Sequence, residues 1–349
     1  MKKKHDPSHF IQSSPTILIA AFFVVGPSFA TDFYGLGNEE SLISDPMHYA
    51  NSDGDATAAA AAPSKWDDLF FSNLSVKGPA DRILQTGTAT KAYRSMTFRG
   101  NAEQSQINRL SDEKSPDRAI IYIGAGGITF EAGAGLVTFG DSGQMLAIGA
   151  KADFTNANHS SGDLIFNREV RGYTNNTVHT ITVAESGNTV FKEIWDNSHG
   201  REIAMTITTS GTGVVRFDGK NTRKGPTNVA AGKLLIDGNA TSADGAVEVS
   251  PVAILGGAGS LGGNLAIADN GCLEFEFRTP AEEHDAMDLT DSRKPMFAGA
   301  SVLTITSPGG ASIGKYKLLT SPGETSGTAL ATPTCLRAER LRFPSMATL

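Results

Sequence analysis

The chain is short of several things that enzymes and membrane proteins commonly rely on. Its 349 residues include two cysteines, Cys272 and Cys335, too few for a disulfide framework. Cys272 sits in a strand-like run and reads as a small buried apolar residue. Charged residues make up 19% and aromatics 7%. The formal net charge is −7, and the densest basic piece is LRAERLRF at 336–343. An acidic chain without a basic cluster argues against non-specific nucleic-acid binding. No apolar run is long enough to span a membrane: 16–26 is 11 residues, about half of the roughly 20 needed. No helical stripe of useful length occurs, and AEEHDAMDLTDS at 281–292 reads as a polar loop.

Local signatures of catalysis and metal binding are also scarce. His48, His159, His179, His199 and His284 are scattered, without the i, i+4 spacing of a zinc helix. Glu282, Glu283, Asp285, Asp288 and Asp291 cluster, but the central glycine and terminal glutamate of a calcium loop are missing, so they read as a solvated loop. Gly219-Lys-Asn221 lacks the other residues of a phosphate loop. Gly257-x-Gly259-x-x-Gly262 has dinucleotide-binding spacing, but NLAIADNGCLEFEF follows it and alternates like strand, where that motif needs a helix. No catalytic, cofactor-binding or metal-binding residue is assigned, and no cofactor is expected.

Export and strands are what the sequence does offer. Residues 1–30 combine three lysines, the apolar run and a Ser28-Phe29-Ala30 ending, the layout of a secretory signal peptide. Its removal takes three lysines and Asp6, leaving a formal charge of −9. Residues 31–64, with an alanine and small-polar stretch, read as a low-complexity linker. From 65 to 320 the 38 glycines of the chain mostly punctuate short β-branched or aromatic runs, among them AIIYIG, GITFEAG, GLVTFG, QMLAIG, DLIFN, HTITV and GVVRFDG. That is an all-β pattern. Residues 321–349 break it and read as an irregular tail, either a truncated or frame-shifted end or a disordered one.

The strands repeat. VRFDG at 215–219 and LLIDG at 234–238 stand 19 residues apart, and AILGG at 253–257 and LEFEF at 273–277 follow after 19 and 20. Val215, Leu234, Ala253 and Leu273 then form one column, and Phe217, Ile236, Leu255 and Phe275 a second on the same face. Arg216, Leu235, Ile254 and Glu274 form an outward column with no carboxylate ladder. TNVAA, AVEVS and NLAIA recur as a second strand in each coil. One coil cannot bury its own inner face, but stacked coils can. The fold class expected is all-β, a parallel β-helix or β-solenoid with roughly 19-residue coils. A β-sandwich is the alternative.

Residues 210–277 resemble the autotransporter-associated β-strand repeat. The likeness rests on Gly211-Thr-Gly213, Gly219-Lys-Asn221, Val229-Ala-Ala-Gly232-Lys-Leu234 and Leu255-Gly256-Gly257-Ala-Gly259-Ser-Leu-Gly262-Gly263. It implies an exported, right-handed parallel β-helix of the passenger kind. Asp285 matches a closing-segment position of such proteins, which implies a structural turn. The outer-membrane barrel of an autotransporter is not visible after 320. The expected function is a non-enzymatic structural or adhesive module, extracellular, at the cell surface or in the periplasm. The alternative is a β-helical protein that binds or cleaves polysaccharide. The partners expected are surface polysaccharide or other envelope proteins, not nucleic acid, with no membrane span after signal cleavage.

Overall fold

A computed structural model describes residues 31–35, 41–42, 49–52, 59–61, 63–71, 82–85, 91–100, 105–108, 119–140, 146–195, 201–277, 285–290, 295–306, 318–321 and 326–327. The signal segment, His48, His199, His284, Glu282, Glu283, Asp291 and Cys335 lie outside these residues. All regular structure described is strand, and the strands stack in register as a parallel β-solenoid with three faces.

The chain visits the faces in a fixed order. Face one carries 127–130, Phe154–Asn158, Thr177–Glu185, Arg201–Thr209, Thr227–Ala231, Val247–Val249, Leu265–Ile267 and Pro295–Phe297, each paired with the next. Face two carries Val137–Phe139, 164–166, 189–191, Val214–Phe217, Lys233–Ile236, Ile254–Gly256, Cys272–Glu276 and Val302–Thr306. Face three carries 91–93, 119–123, Leu146–Ala150, 170–172 and 194–195. It continues through a bridge at Asn221 to Asn239–Ala240, Ser260–Leu261, Met287–Leu289 and Leu319–Thr320.

Inward side chains fill the bore because strand side chains alternate and one face of every strand has nowhere else to go. On face one Leu69, Met96, Ile128, Val183, Ile207, Val229, Val249 and Ile267 are all buried. On face two the column is aromatic. Phe139, Phe166 and Phe191 stack with ring centroids 5.1 and 4.9 Å apart, and Phe217 closes the row edge-on at 5.8 Å. Each such ring contributes about 1.5–3 kcal/mol by leaving water. Asn156 interrupts the apolar column of face one. It is fully buried, and neither its amide nitrogen nor its oxygen has a partner.

Two sequence expectations about register need correction. Phe217 does stand over Ile236, at the 19-residue step. The next step is 21 residues, from Leu234 to Leu255, followed by 18 to Leu273. Leu255 therefore lies beside Leu234 and not Ile236, and Ala253 is a corner residue rather than a rung. The corner from Val249 to Leu255, through Pro251 and Val252, is one residue longer than that from Val229 to Leu234, which Gly232 tightens at φ 74°. The rest of that coil holds the other extra residue. The slip is an even number, so the inward and outward assignments survive it. Ala253 and Leu255 are buried, and Ile254 is half-buried.

Coil length also varies more than the repeat suggested. From Met96 to Ile128 is 32 residues, to Asn156 another 28, and from Val249 to Ile267 only 18. Strands divided by glycine in the sequence run on around corners. Ala119–Phe130 joins AIIYIG to GITF and serves faces three and one, bending at Gly127 with φ 73°.

At the N-terminal end Asp32–Gly35 pairs in parallel with Asp68–Phe71, so the solenoid starts inside the segment that composition marked as a linker. Tyr49–Ala50 lies antiparallel against residues 34–35, and Tyr49 packs edge-on to Phe33 at 6.0 Å. All other ladders among the described residues are parallel. This short reversal covers part of an otherwise open strand edge.

Candidate functional site: an aromatic and lysine-lined groove

Several residues considered from sequence have structural roles. Gly257 lies in the corner after Leu255 at φ 110°, and a Cβ there would come within 2.4 Å of the Ile236 carbonyl oxygen. Ser260–Leu261 follows as a strand, so this glycine motif makes a turn and opens no helix. The Asp285 carboxylate accepts from the Glu276 backbone N–H at 3.0 Å, while its own N–H donates to the Glu276 carbonyl at 2.9 Å. His159 lies 3.4 Å from Glu185, and His179 lies 3.1 Å from the Thr174 hydroxyl and 3.7 Å from Asp153. Cys272 is a free, buried thiol 3.2 Å from the Thr304 hydroxyl, and burial raises its pKa. Among the described residues no three His, Cys, Asp or Glu side chains converge as a metal group.

Charges on the outer side of face two are matched between coils. Arg168 meets Glu193 at 3.8 Å and Arg216 meets Asp237 at 2.7 Å, while Lys192 reaches Asp218. Lys233 reaches Glu274 two coils away. Surface pairs of this kind are worth about 0–1 kcal/mol each. Their chemical consequence is larger: the carboxylates Asp218, Asp237 and Glu274 each face a cation.

Face three differs. Beside the strands at 91–93, 119–123 and Leu146–Ala150 lies a groove of about 330 Å³ lined by Lys65, Lys91, Lys151, Tyr122 and Tyr173. Tyr122 and Tyr173 pack with centroids 4.1 Å apart. The Lys151 ammonium lies 4.5 Å from the Tyr173 ring centre, 5.0 Å from Trp66 and 5.8 Å from Tyr122, and Lys65 sits 5.3 Å from Trp66. These distances are within cation–π range. Arg201 also lies over the Tyr173 ring, at 5.8 Å. Burial raises the Tyr122 pKa, with Arg171 pulling the other way, so the phenol stays neutral.

Small residues in the strands seat the rings. Gly149 pairs with Tyr122, and a Cβ on it would meet that ring at 2.3 Å; a Cβ on Gly124 would meet Trp66 at 3.1 Å. Trp66 itself has φ 75°, which a bulky L-residue adopts only when its surroundings force it. The forcing contacts centre on Asp67. Its buried carboxylate accepts from the Ser64 N–H at 2.7 Å, the Ser64 hydroxyl at 2.8 Å and the Thr31 N–H at 3.0 Å. A second recess, of about 450 Å³, lies along face one by Pro251, Ala266 and Met296; it is mostly apolar and lined by Glu248 with no cation.

One similarity to a curated protein bears on this geometry. Over 70 residues, 20% of this chain, the sequence is 37% identical to the adhesin BmaC autotransporter of Brucella suis biovar 1. The matched stretch is 2% of that protein's length. No protein family matches the chain, and no solved structure matches it. The similarity links part of the chain to an autotransporter adhesin, in line with the β-solenoid seen here.

Sequence reasoning found no part of the groove. Its lining comes from 63–65, 91–93, 122, 151 and 173, with Trp66 beside Lys151, and only the stacking of unequal coils brings them together. A usable signal was present in AIIYIG and LAIGA, where a tyrosine and a glycine occupy outward strand positions. Gly310-Ala-Ser312-Ile-Gly314 has the letters of a nucleophile elbow. It lies outside the described residues.

Proposed function

We propose that this chain is an exported adhesive module, a rigid β-solenoid that displays ligand-contacting side chains on its outer faces. The similarity to an autotransporter adhesin carries the reading. The architecture supports it: stacked coils make a stiff support whose outward columns can vary without disturbing the bore. The signal-like residues 1–30 fit export to the cell surface or envelope.

A polysaccharide-cleaving β-helix is the other reading. Cleavage by paired carboxylates needs two of them free to act on one bond, roughly 5–10 Å apart. The carboxylates on the outer side of face two are instead tied to lysine or arginine, which favours binding over cleavage.

The test is attachment. The purified chain from residue 31 onward, coated on beads, is expected to retain cells or cell-envelope polysaccharide above a denatured control, and to release no reducing sugar from it. Absence of retention would overturn the adhesive reading, and release of reducing sugar would favour the enzyme.

A further inference from the structure

We infer that the groove on face three is a binding site for a polysaccharide of acidic sugars. Charge supplies the first argument. The protein is acidic overall, yet Lys65, Lys91 and Lys151 converge on one groove, and among the described residues none of these ammonium groups lies within ion-pair distance of a carboxylate. The lysines of face two, Lys192 and Lys233, are each paired. Three unmatched lysines in one place are a local positive field in a negative molecule, which draws in an anion.

Shape supplies the second. Tyr173 and Trp66, both part-exposed, stand beside Lys151 and offer apolar ring bodies with polar tips, while the buried Tyr122 packs against Tyr173 as its support. A sugar ring has the matching character, with a C–H face to lie on an aromatic and hydroxyls at its rim. A carboxylate or sulfate on that sugar would meet the lysines. A volume of about 330 Å³ falls near the lower end of ordinary ligand clefts, roughly 300–1,000 Å³, so it suits a short stretch of a chain threading across the face.

Rigidity supplies the third. Tyr122 is on a ladder strand and seated on Gly149, while Trp66 is locked by the Asp67 contacts in a backbone conformation it would not choose alone. Groups held in place before binding lose little entropy when a ligand arrives. The inference rests on the adhesive reading for the class of ligand, while the groove's own chemistry can be tested apart from it.

The experiment titrates the chain from residue 31 with an oligogalacturonate, a neutral oligosaccharide of equal length, a sulfated oligosaccharide and a single-stranded oligonucleotide. Variants are Lys151→Gln, Tyr173→Ala and, as a control on face two, Lys192→Gln, each checked for wild-type circular dichroism. Should Tyr173→Ala fail to fold, Tyr173→Leu and Lys91→Gln replace it. Binding of the uronate or the sulfated sugar is expected, weakening with salt, with the stronger of the two identifying the acidic group. Lys151→Gln and Tyr173→Ala should each weaken it about tenfold or more, roughly the loss of one cation–π or ionic contact. Lys192→Gln should leave it unchanged. Equal binding of the neutral sugar, equal binding of the oligonucleotide, no binding of any acidic sugar, or equal loss in the face-two control would each overturn the proposal. Bead attachment that persists in Lys151→Gln and Tyr173→Ala would remove this site while leaving the adhesive reading intact. Acidic-sugar binding without attachment would do the reverse.

Discussion

Residues 119–195 and 210–277 follow the same three-faced path by different means. In the later stretch, coils are 18 to 21 residues, corners are closed by glycine, and outward charges meet across coils. In the earlier stretch, coils run from 22 to 32 residues, strands bend around corners, and the outer side of face three gathers rings and lysines. The bore is mainly apolar in both, filled largely by leucine, isoleucine and valine in the later stretch and by stacked phenylalanine on face two of the earlier one, where Asn156 interrupts face one. Short coils leave residues for little beyond the ladder itself. Long coils have spare residues at the corners, and those include Lys65, Trp66, Lys151 and Tyr173. Under the binding role proposed above, the regular stretch is the support and the irregular one carries the working surface.

The contrast can be strained first in the bore. Leu255→Asp puts a carboxylate into the apolar stack between Leu234 and Leu273. It is expected to cost more than about 4 kcal/mol, the range of an unpaired buried charge, and to remove most strand signal from thermal melts by circular dichroism. Ile254→Asp, one residue away and facing outward, should cost far less; equal losses would contradict the facing. Phe191→Ala opens the ring column of the earlier stretch and should cost about 3–5 kcal/mol by urea unfolding. A loss under 1 kcal/mol would mean that the rings do not support one another. Asn156→Leu has the opposite sign. It removes a buried amide without partners, and a gain of about 1–2 kcal/mol is expected, read as a higher urea midpoint at unchanged slope. The smallest effect belongs to the matched charges: Arg216→Ala should change stability by less than about 1 kcal/mol, and high salt should erase the difference.

How much was legible in the sequence divides along the same line. Parallel stacking was readable from Asp218-Gly219 over Asp237-Gly238, because a β-arc of constant length repeats its glycines with its core residues. The inward faces were readable too, since a two-residue slip leaves them unchanged. The rung opposite Leu234 was not, because AILGG matches LLIDG equally well with Ala253 or Leu255 in place, and the corner at Pro251 and Val252 conceals the added residue. Phe139, Phe166 and Phe191 of the earlier stretch and Phe217 at the start of the later one repeat at 27, 25 and 26 residues. That period was present in GLVTFG, DLIFN, TVFKEI and GVVRFDG but drowned by loops of changing length. The groove was illegible for a stronger reason: Trp66, Tyr122, Lys151 and Tyr173 become neighbours only through the register of coils whose lengths differ.

That register is the account's central claim, and a cross-linking comparison tests it directly. With both native cysteines replaced by serine, Lys233→Cys with Ile254→Cys places two thiols directly opposite each other on face two. Leu235→Cys with Ile254→Cys is the pair that an even 19-residue repeat would place opposite, and in this structure it is displaced by two residues along the strand. A short thiol cross-linker should join the 233 and 254 pair rapidly and the 235 and 254 pair slowly. Faster joining of 235 to 254 would contradict the unequal coils described here.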